Sequence, residues 1–265
     1  GEASLSDKGS VFQTGGGGTN FEQAVQTAFV VTLIIRGNVP CIESGELTEI
    51  GLQVKKREYE TDDLLAIAKN PTATHRLLIQ IKHDISFTKG NDQFKQVIKD
   101  FWQDYNNSAI FDRNRDKLII VKSGLTKHER NHVKSLLNWA VTHATETDFI
   151  KEVERIKAKN DALEVFHEVL LMVNNNNALT DNEIWQFLRC VDVLEYDFLN
   201  EGSVDKTYFL NLIKLSRRKD SELNEVEIWD RIFARVSELN QAGGNLTIES
   251  LKNESFFHYF ENEKL

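Results

Sequence analysis

The chain has 265 residues, with 32 lysines and arginines against 41 aspartates and glutamates, a formal net charge of −9. A composition of 40% hydrophobic and 28% charged residues marks a folded globular protein and excludes disordered, collagen-like and fibrous classes. No apolar run approaches the roughly 18 residues of a membrane span, and the acidity argues at face value against a generic nucleic-acid binder, which usually carries a basic balance.

In chain order, residues 1–19 read as a flexible arm ending in GGGG and Thr19. A helix follows over about 20–35, with Asn20 or Thr19 as its N-cap. Its longest apolar stretch, AFVVTLII (28–35), is interrupted by Thr32. LTEIGLQVKKREYE (47–60) and DDLLAIA (62–68) read as two strands joined by a tight turn, and RLLIQIKHDISF (76–87) is a third β-patterned segment. NDQFKQVIKDFWQDYNN (91–107) carries apolar residues at 94, 97, 98, 101 and 102, a helical stripe. DKLIIVKSG (116–124) is a buried strand closed by Gly124.

Beyond residue 125 only helices are expected, near 126–145, 147–173, 180–189, 204–219, 221–240 and 247–262. The Asn run 174–177 is a loop, and Thr180 ahead of Asp181 and Glu183 resembles a capping box. Both prolines precede Gly124, and after it only Gly202, Gly243 and Gly244 remain, which favours helices. Charge divides with them: residues 1–122 hold 15 basic and 16 acidic side chains, and the rest hold 17 and 25. The acidity therefore belongs to the second half, and a near-neutral first half can still present a local basic groove. The expected organisation is an arm (1–19), an α-β-β-β-α-β core (20–124) and an all-α domain (125–265).

Two cysteines, Cys41 and Cys190, are too few for a disulfide framework or a zinc site, which implies a reducing, cytoplasmic setting. The chain opens on Gly1 and its only methionine is Met172, so it is expected to be an excised piece with a tag scar and no secretory signal.

The tripeptide Gln80-Ile81-Lys82 is the most informative feature. On a strand, Gln80 and Lys82 share one face while Ile79 and Ile81 take the other. A lysine within such an apolar strand is costly to bury without a partner. Asp62 and Asp63 stand where the preceding strand begins, and Glu22 lies early in the first helix. An acid on a first helix, an Asp at a strand start and a (D/E/Q)-x-K on the next strand fit metal-assisted phosphodiester hydrolysis. Carboxylate and amide oxygens suit Mg²⁺ or Mn²⁺, the cation polarises the phosphoryl oxygen and acidifies a water, and an ammonium orients that water or offsets developing charge. Either Asp62 or Asp63 could be the ligand, with Asp63 preferred for its nearness to the strand.

On these residues, GGGGTNFEQAVQTAFVVTLI, YETDDLLAIA and RLLIQIKHDI, the chain resembles a PD-(D/E)xK-superfamily nuclease of the kind carried by bacterial anti-phage effectors. The resemblance covers about 11–124, and LTDNEIWQFLRCVDVLEYDF (179–198) is similar to the helical segment that follows the nuclease in STAND NTPase effectors. It implies a restriction-endonuclease-like α/β fold and Mg²⁺-dependent cleavage of double-stranded DNA. It further implies self-association through a fused sensor or NTPase region, and no membrane partner. Glu22, Asp63, Gln80 and Lys82 take the family's catalytic positions, with Asp63, Gln80 and Glu22 holding the metal. The departure is Gln80, an amide where the strict pattern has a carboxylate, which removes one negative charge from the metal site.

The STAND-type arrangement is favoured. Its alternatives are the nuclease of a SAVED-linked CBASS effector gated by cyclic oligonucleotides, and a non-catalytic interaction module on the same fold. His83 reads as structural or at the surface, GGGG as a hinge lacking the GK[ST] of a phosphate loop, and Lys55-Lys56-Arg57 as a solvated strand face that could touch a DNA backbone. Trp102, Trp139, Trp185 and Trp229 read as core. No helix-turn-helix or zinc-finger pattern predicts DNA sequence preference.

Overall fold

A computed structural model describes residues 17–54 and 58–260. Of the arm expected over 1–19, residues 1–16 lie outside the described residues, as does the basic cluster Lys55-Lys56-Arg57, while 17–19 belong to the first helix. The elements are α1 (Gly17–Ile34), β1 (Glu46–Leu52), β2 (Leu64–Lys69), β3 (Thr74–Ile81), α2 (Asp92–Tyr105) and β4 (Lys117–Lys122). A π-helical turn (Glu129–Lys134) then runs into α3 (Ser135–Thr142), followed by α4 (Glu146–Glu154), α5 (Lys157–Val173) and α6 (Asp181–Leu188). The chain continues with β5 (Val191–Glu195), α7 (Val204–Ser216), α8 (Glu225–Ala242), β6 (Asn245–Thr247), α9 (Ile248–Leu251) and a 3₁₀ turn (Ser255–Tyr259).

The strands form one six-stranded sheet in the order β5-β4-β3-β2-β1-β6. β1, β2 and β3 make an antiparallel meander, whereas β3–β4 and β4–β5 are parallel. The period-2 pattern of the central strands feeds two cores. Ala66 and Ala68 of β2, Leu77, Ile79 and Ile81 of β3 and Val121 of β4 pack on one face with α1, α7 and α8. Leu65, Leu78, Leu118 and Ile120 pack on the other with α2 and α4–α6. The architecture is a sheet between two helical layers.

α1 is apolar nearly all round, with Phe21, Ala24, Val25, Val30 and Val31 buried, because it lies between the sheet and α8. It begins at Gly17 rather than at Asn20, so Thr19 and Asn20 stand inside the helix and do not cap it. α2 starts as expected: the Asn91 side chain accepts from the Phe94 N–H. Thr180 and Glu183 form a true capping box on α6.

The expectation of helices alone beyond residue 125 is corrected. β5 pairs parallel with β4, and β6 pairs antiparallel with β1, so the second half adds a strand to each edge of the sheet. Val191 and Val193 join one core and Leu246 the other. Both cores draw residues from either side of position 124, so no break in packing marks that position. The helix expected over 147–173 is two helices meeting at Ile156, and the one expected over 247–262 is a strand, a single α-turn and a 3₁₀ turn. Among the described residues no helix is long and apolar enough to cross a membrane. The four tryptophans are core residues, Trp185 and Trp229 fully and Trp102 and Trp139 at its margin.

Candidate active site

β3 runs through the sheet with β2 antiparallel on one side and β4 parallel on the other, and ends at Ile81. Just beyond it the Lys82 N–H donates to the Val121 carbonyl (2.8 Å), fixing the backbone from which the lysine projects. Across the sheet Asp63 immediately precedes β2, and its Oδ2 accepts from the Ile81 N–H at 2.9 Å. The carboxylate thus takes a backbone donor at the strand end. Lys82 Nζ lies 3.6 Å from the same Oδ2.

Gln80 is buried between them. With its amide donors facing acceptors, its nitrogen donates to Asp63 Oδ2 (2.8 Å) and its oxygen accepts from the Asp62 N–H (3.2 Å). The amide clamps the turn into β2, and Asp63 rather than Asp62 is the aspartate held against Lys82. Asp62 opens instead onto a neighbouring cleft of about 500 Å³ lined by Glu60, Asp62, Gln96, Lys99, Asp100 and Gln103. Asp100 in this cleft is pushed up to about 6, chiefly by burial and further by the charges of Glu60 and Asp62.

Glu22, in the second turn of α1, is the fourth member. Its Oε1 accepts from Gln53 Nε2 (2.8 Å) and more weakly from Gln26 Nε2 (3.3 Å). Burial, and next the charge of Asp63, push the Glu22 carboxyl up to about 7, while Lys82 and the Gln53 hydrogen bond pull the other way. Asp63 is likewise raised, burial outweighing Lys82 and the Ile81 N–H. A buried and a half-buried carboxylate thus share one ammonium, a site short of positive charge.

All four sequence candidates, Glu22, Asp63, Gln80 and Lys82, therefore meet at one end of the sheet. Among the described residues no three His, Cys, Asp or Glu side chains form a metal-ligand cluster. The donor set here is two carboxylates and one amide oxygen, which suits a hard oxygen-seeking cation such as Mg²⁺ or Mn²⁺. The Gln80 oxygen is engaged with Asp62, so its use as a ligand requires the amide to turn over. His83 stands outside the group, its ring edge against Phe21.

Three further residues build the site without a motif to announce them. Gln26, fully buried, donates to the Asp63 carbonyl at 2.9 Å. Its position one helical turn after Glu22, polar within an apolar helix, was its only sequence signal. Gln53 reaches Glu22 from a left-handed backbone at φ 52°, a conformation non-glycine residues seldom take. Asn240 arrives from α8, 214 positions after Gln26, and bonds to it.

No protein-family model and no curated protein matches the chain. Solved structures do. The Acinetobacter baumannii Cap4 SAVED/CARF-domain containing receptor with the cyclic trinucleotide 3'3'3'-cAAA aligns at TM-score 0.50 and 10% identity, over 93% of this chain and 46% of the receptor's. A second structure of that receptor aligns at 0.50 and 10%, over 93% and 48%. At such identity the likeness is one of fold, and the chain spans about half the length of the receptors it matches.

Proposed function

We propose that the chain is the cation-dependent DNA endonuclease part of a bacterial anti-phage effector. The observation that carries this is the meeting of Glu22, Asp63, Gln80 and Lys82 from α1, β2 and β3 around a site short of positive charge. Glu22, Asp63 and the Gln80 oxygen would hold Mg²⁺ or Mn²⁺. When bound, the cation supplies Lewis-acid polarisation of the phosphoryl oxygen and acidifies a water. Lys82 then orients that water or offsets charge developing on the phosphate. Asp63 keeps the ammonium in place, and the Ile81 N–H keeps Asp63 in place. Gln53 holds the Glu22 carboxylate toward the group.

Of the two triggers, a SAVED-type sensor of a cyclic oligonucleotide is favoured over a STAND NTPase. The fold is shared with a SAVED/CARF-domain containing receptor bound to a cyclic trinucleotide, and this chain accounts for under half of that receptor. We assign the chain to the cleaving rather than the sensing half because of the carboxylate–amide–lysine constellation. Double-stranded DNA is its substrate, and assembly through the linked sensor is its trigger.

The test is cleavage of supercoiled plasmid with Mg²⁺ or Mn²⁺, by the chain alone and by the chain clustered on an inducible oligomerising domain. Nicking or linearisation that Lys82→Ala abolishes supports the proposal. No cleavage by the clustered chain with either cation, or equal cleavage by Lys82→Ala, overturns it. Calorimetry with a cyclic trinucleotide separates the halves, since binding by this chain assigns it to the sensor.

A further inference from the structure

We infer that Asn240 of α8 is a positioning residue for this cation site, so that the second half of the chain completes it. The inference rests on the reading of Glu22 as a ligand.

Asn240 Oδ1 accepts from Gln26 Nε2 at 2.9 Å and from Gln53 Nε2 at 3.4 Å, while its own Nδ2 donates back to Gln26 Oε1. An amide side chain carries its donors at one end and its acceptor at the other. Asn240 and Gln26 hold each other through both ends of their amides, and the Asp63 carbonyl, which can only accept, fixes which way round the pair lies. The Gln26 nitrogen is thereby turned toward the Asp63 carbonyl (2.9 Å) and Glu22 Oε1 (3.3 Å). The same Oδ1 takes the second hydrogen of Gln53 Nε2, whose first goes to Glu22 at 2.8 Å.

Without Asn240 the fully buried Gln26 oxygen loses its donor and the Gln26 nitrogen loses one of its acceptors, so the amide is no longer held beside Glu22. Gln53 loses one of the two acceptors that aim it, and it already occupies a left-handed backbone at φ 52°. The end of α8 is held beside Gln53 in turn: Gly243 caps the helix at φ 66°, and the Leu52 N–H donates to the Gly244 carbonyl at 2.9 Å. α8 and β6 thus deliver Asn240 to the network as one built unit.

The experiment is Mn²⁺ calorimetry on the full chain, with thermal melting alongside. Asn240→Ala is expected to weaken Mn²⁺ binding about 10-fold, the usual scale for a residue that orients a ligand. In a Glu22→Gln background the same change is expected to cost less than about twofold, since the residue acts through Glu22. Gln53→Asn suits the left-handed backbone while withdrawing the amide from Glu22, and is expected to reproduce the loss with the melting temperature kept. A merely structural Asn240 would lower the melting temperature and leave Mn²⁺ affinity unchanged. Unchanged affinity in Asn240→Ala and Gln53→Asn, or an equal loss in both Glu22 backgrounds, overturns the inference and leaves the nuclease reading standing. Failure of the unsubstituted chain to bind Mn²⁺ removes the cation site and the inference together.

Discussion

Lys82 is the residue on which the proposed chemistry turns. Its side chain is 29% exposed, and among the described residues its ion pair is with Asp63 at 3.6 Å. Lys82→Ala is expected to lower plasmid cleavage about 10²- to 10³-fold, compared at a temperature where melting shows the variant folded, because Asp63 loses its cation. Glu22 gives a second, pH-dependent signature. Its carboxyl is raised from an ordinary 4.5 to about 7 by burial and by Asp63. Between those values the folded chain keeps a proton that the unfolded chain has released. Stability without divalent cations therefore falls as pH rises through that window, and is highest below it. Melting curves from pH 5 to 8 in chelator should show this decline, and Glu22→Gln should flatten it. A slope unchanged in Glu22→Gln would place the proton elsewhere. The sequence disclosed Glu22, Asp63, Gln80 and Lys82 because each type is chemically unusual where it stands. Gln26, Gln53 and Asn240 stayed hidden because uncharged amides are ordinary anywhere on a surface. Their value comes only from facing one another.

At the scale of elements, local patterns were legible where a segment carries its own reason to fold. β3 alternates its apolar side chains, α2 has an Asn91 cap and an apolar stripe, and α6 has the Thr180–Glu183 box. Thr180→Ala is expected to cost about 1 kcal/mol, read from urea unfolding. β5 and β6 were missed because five and three residues, VDVLE and NLT, carry too little pattern of their own. They are strands because open sheet edges of β4 and β1 take up their backbone groups. The turn after β4 adds a buried ion pair: Lys122 Nζ lies 2.8 Å from Glu129, which also accepts from the Thr126 N–H and so ties the π-helical turn to the sheet. Lys122→Met leaves that carboxylate buried without its cation and is expected to cost about 3–5 kcal/mol, whereas Lys122→Met with Glu129→Leu recovers much of the loss. Urea melts of the single and double variants check this, and an additive double would remove the coupling.

At the scale of the molecule, the composition change at Gly124 suggested two units side by side, but the second half wraps the first. Its helices supply α8 on one face of the sheet and α4–α6 on the other, and its strands close both edges. A fragment ending at residue 124 would expose Leu118 and Ile120 on one face and the packing surface of α1 on the other. It is expected to show no cooperative thermal transition and a loss of dispersed amide resonances, where the full chain unfolds in one step. Independent cooperative folding of the fragment would restore the two-unit reading. The whole-chain charge of −9 loses its force as an argument against DNA for a related reason. Charge acts over about 8 Å in physiological salt, so the field a phosphate meets depends on which side chains the fold places near the site.

By itself the sequence determined the local periodicities, the central β3 strand, the caps of α2 and α6, and the four candidate side chains. Each of these is written in neighbours a few positions apart. Only the tertiary structure decided which aspartate faces Lys82, that α1 is enclosed on nearly every side, and that β5 and β6 complete the sheet. It alone brought Asn240 to the Gln26 amide, 214 positions away. Such contacts are fixed by the collective packing of distant segments, which leaves no spacing in the chain to read.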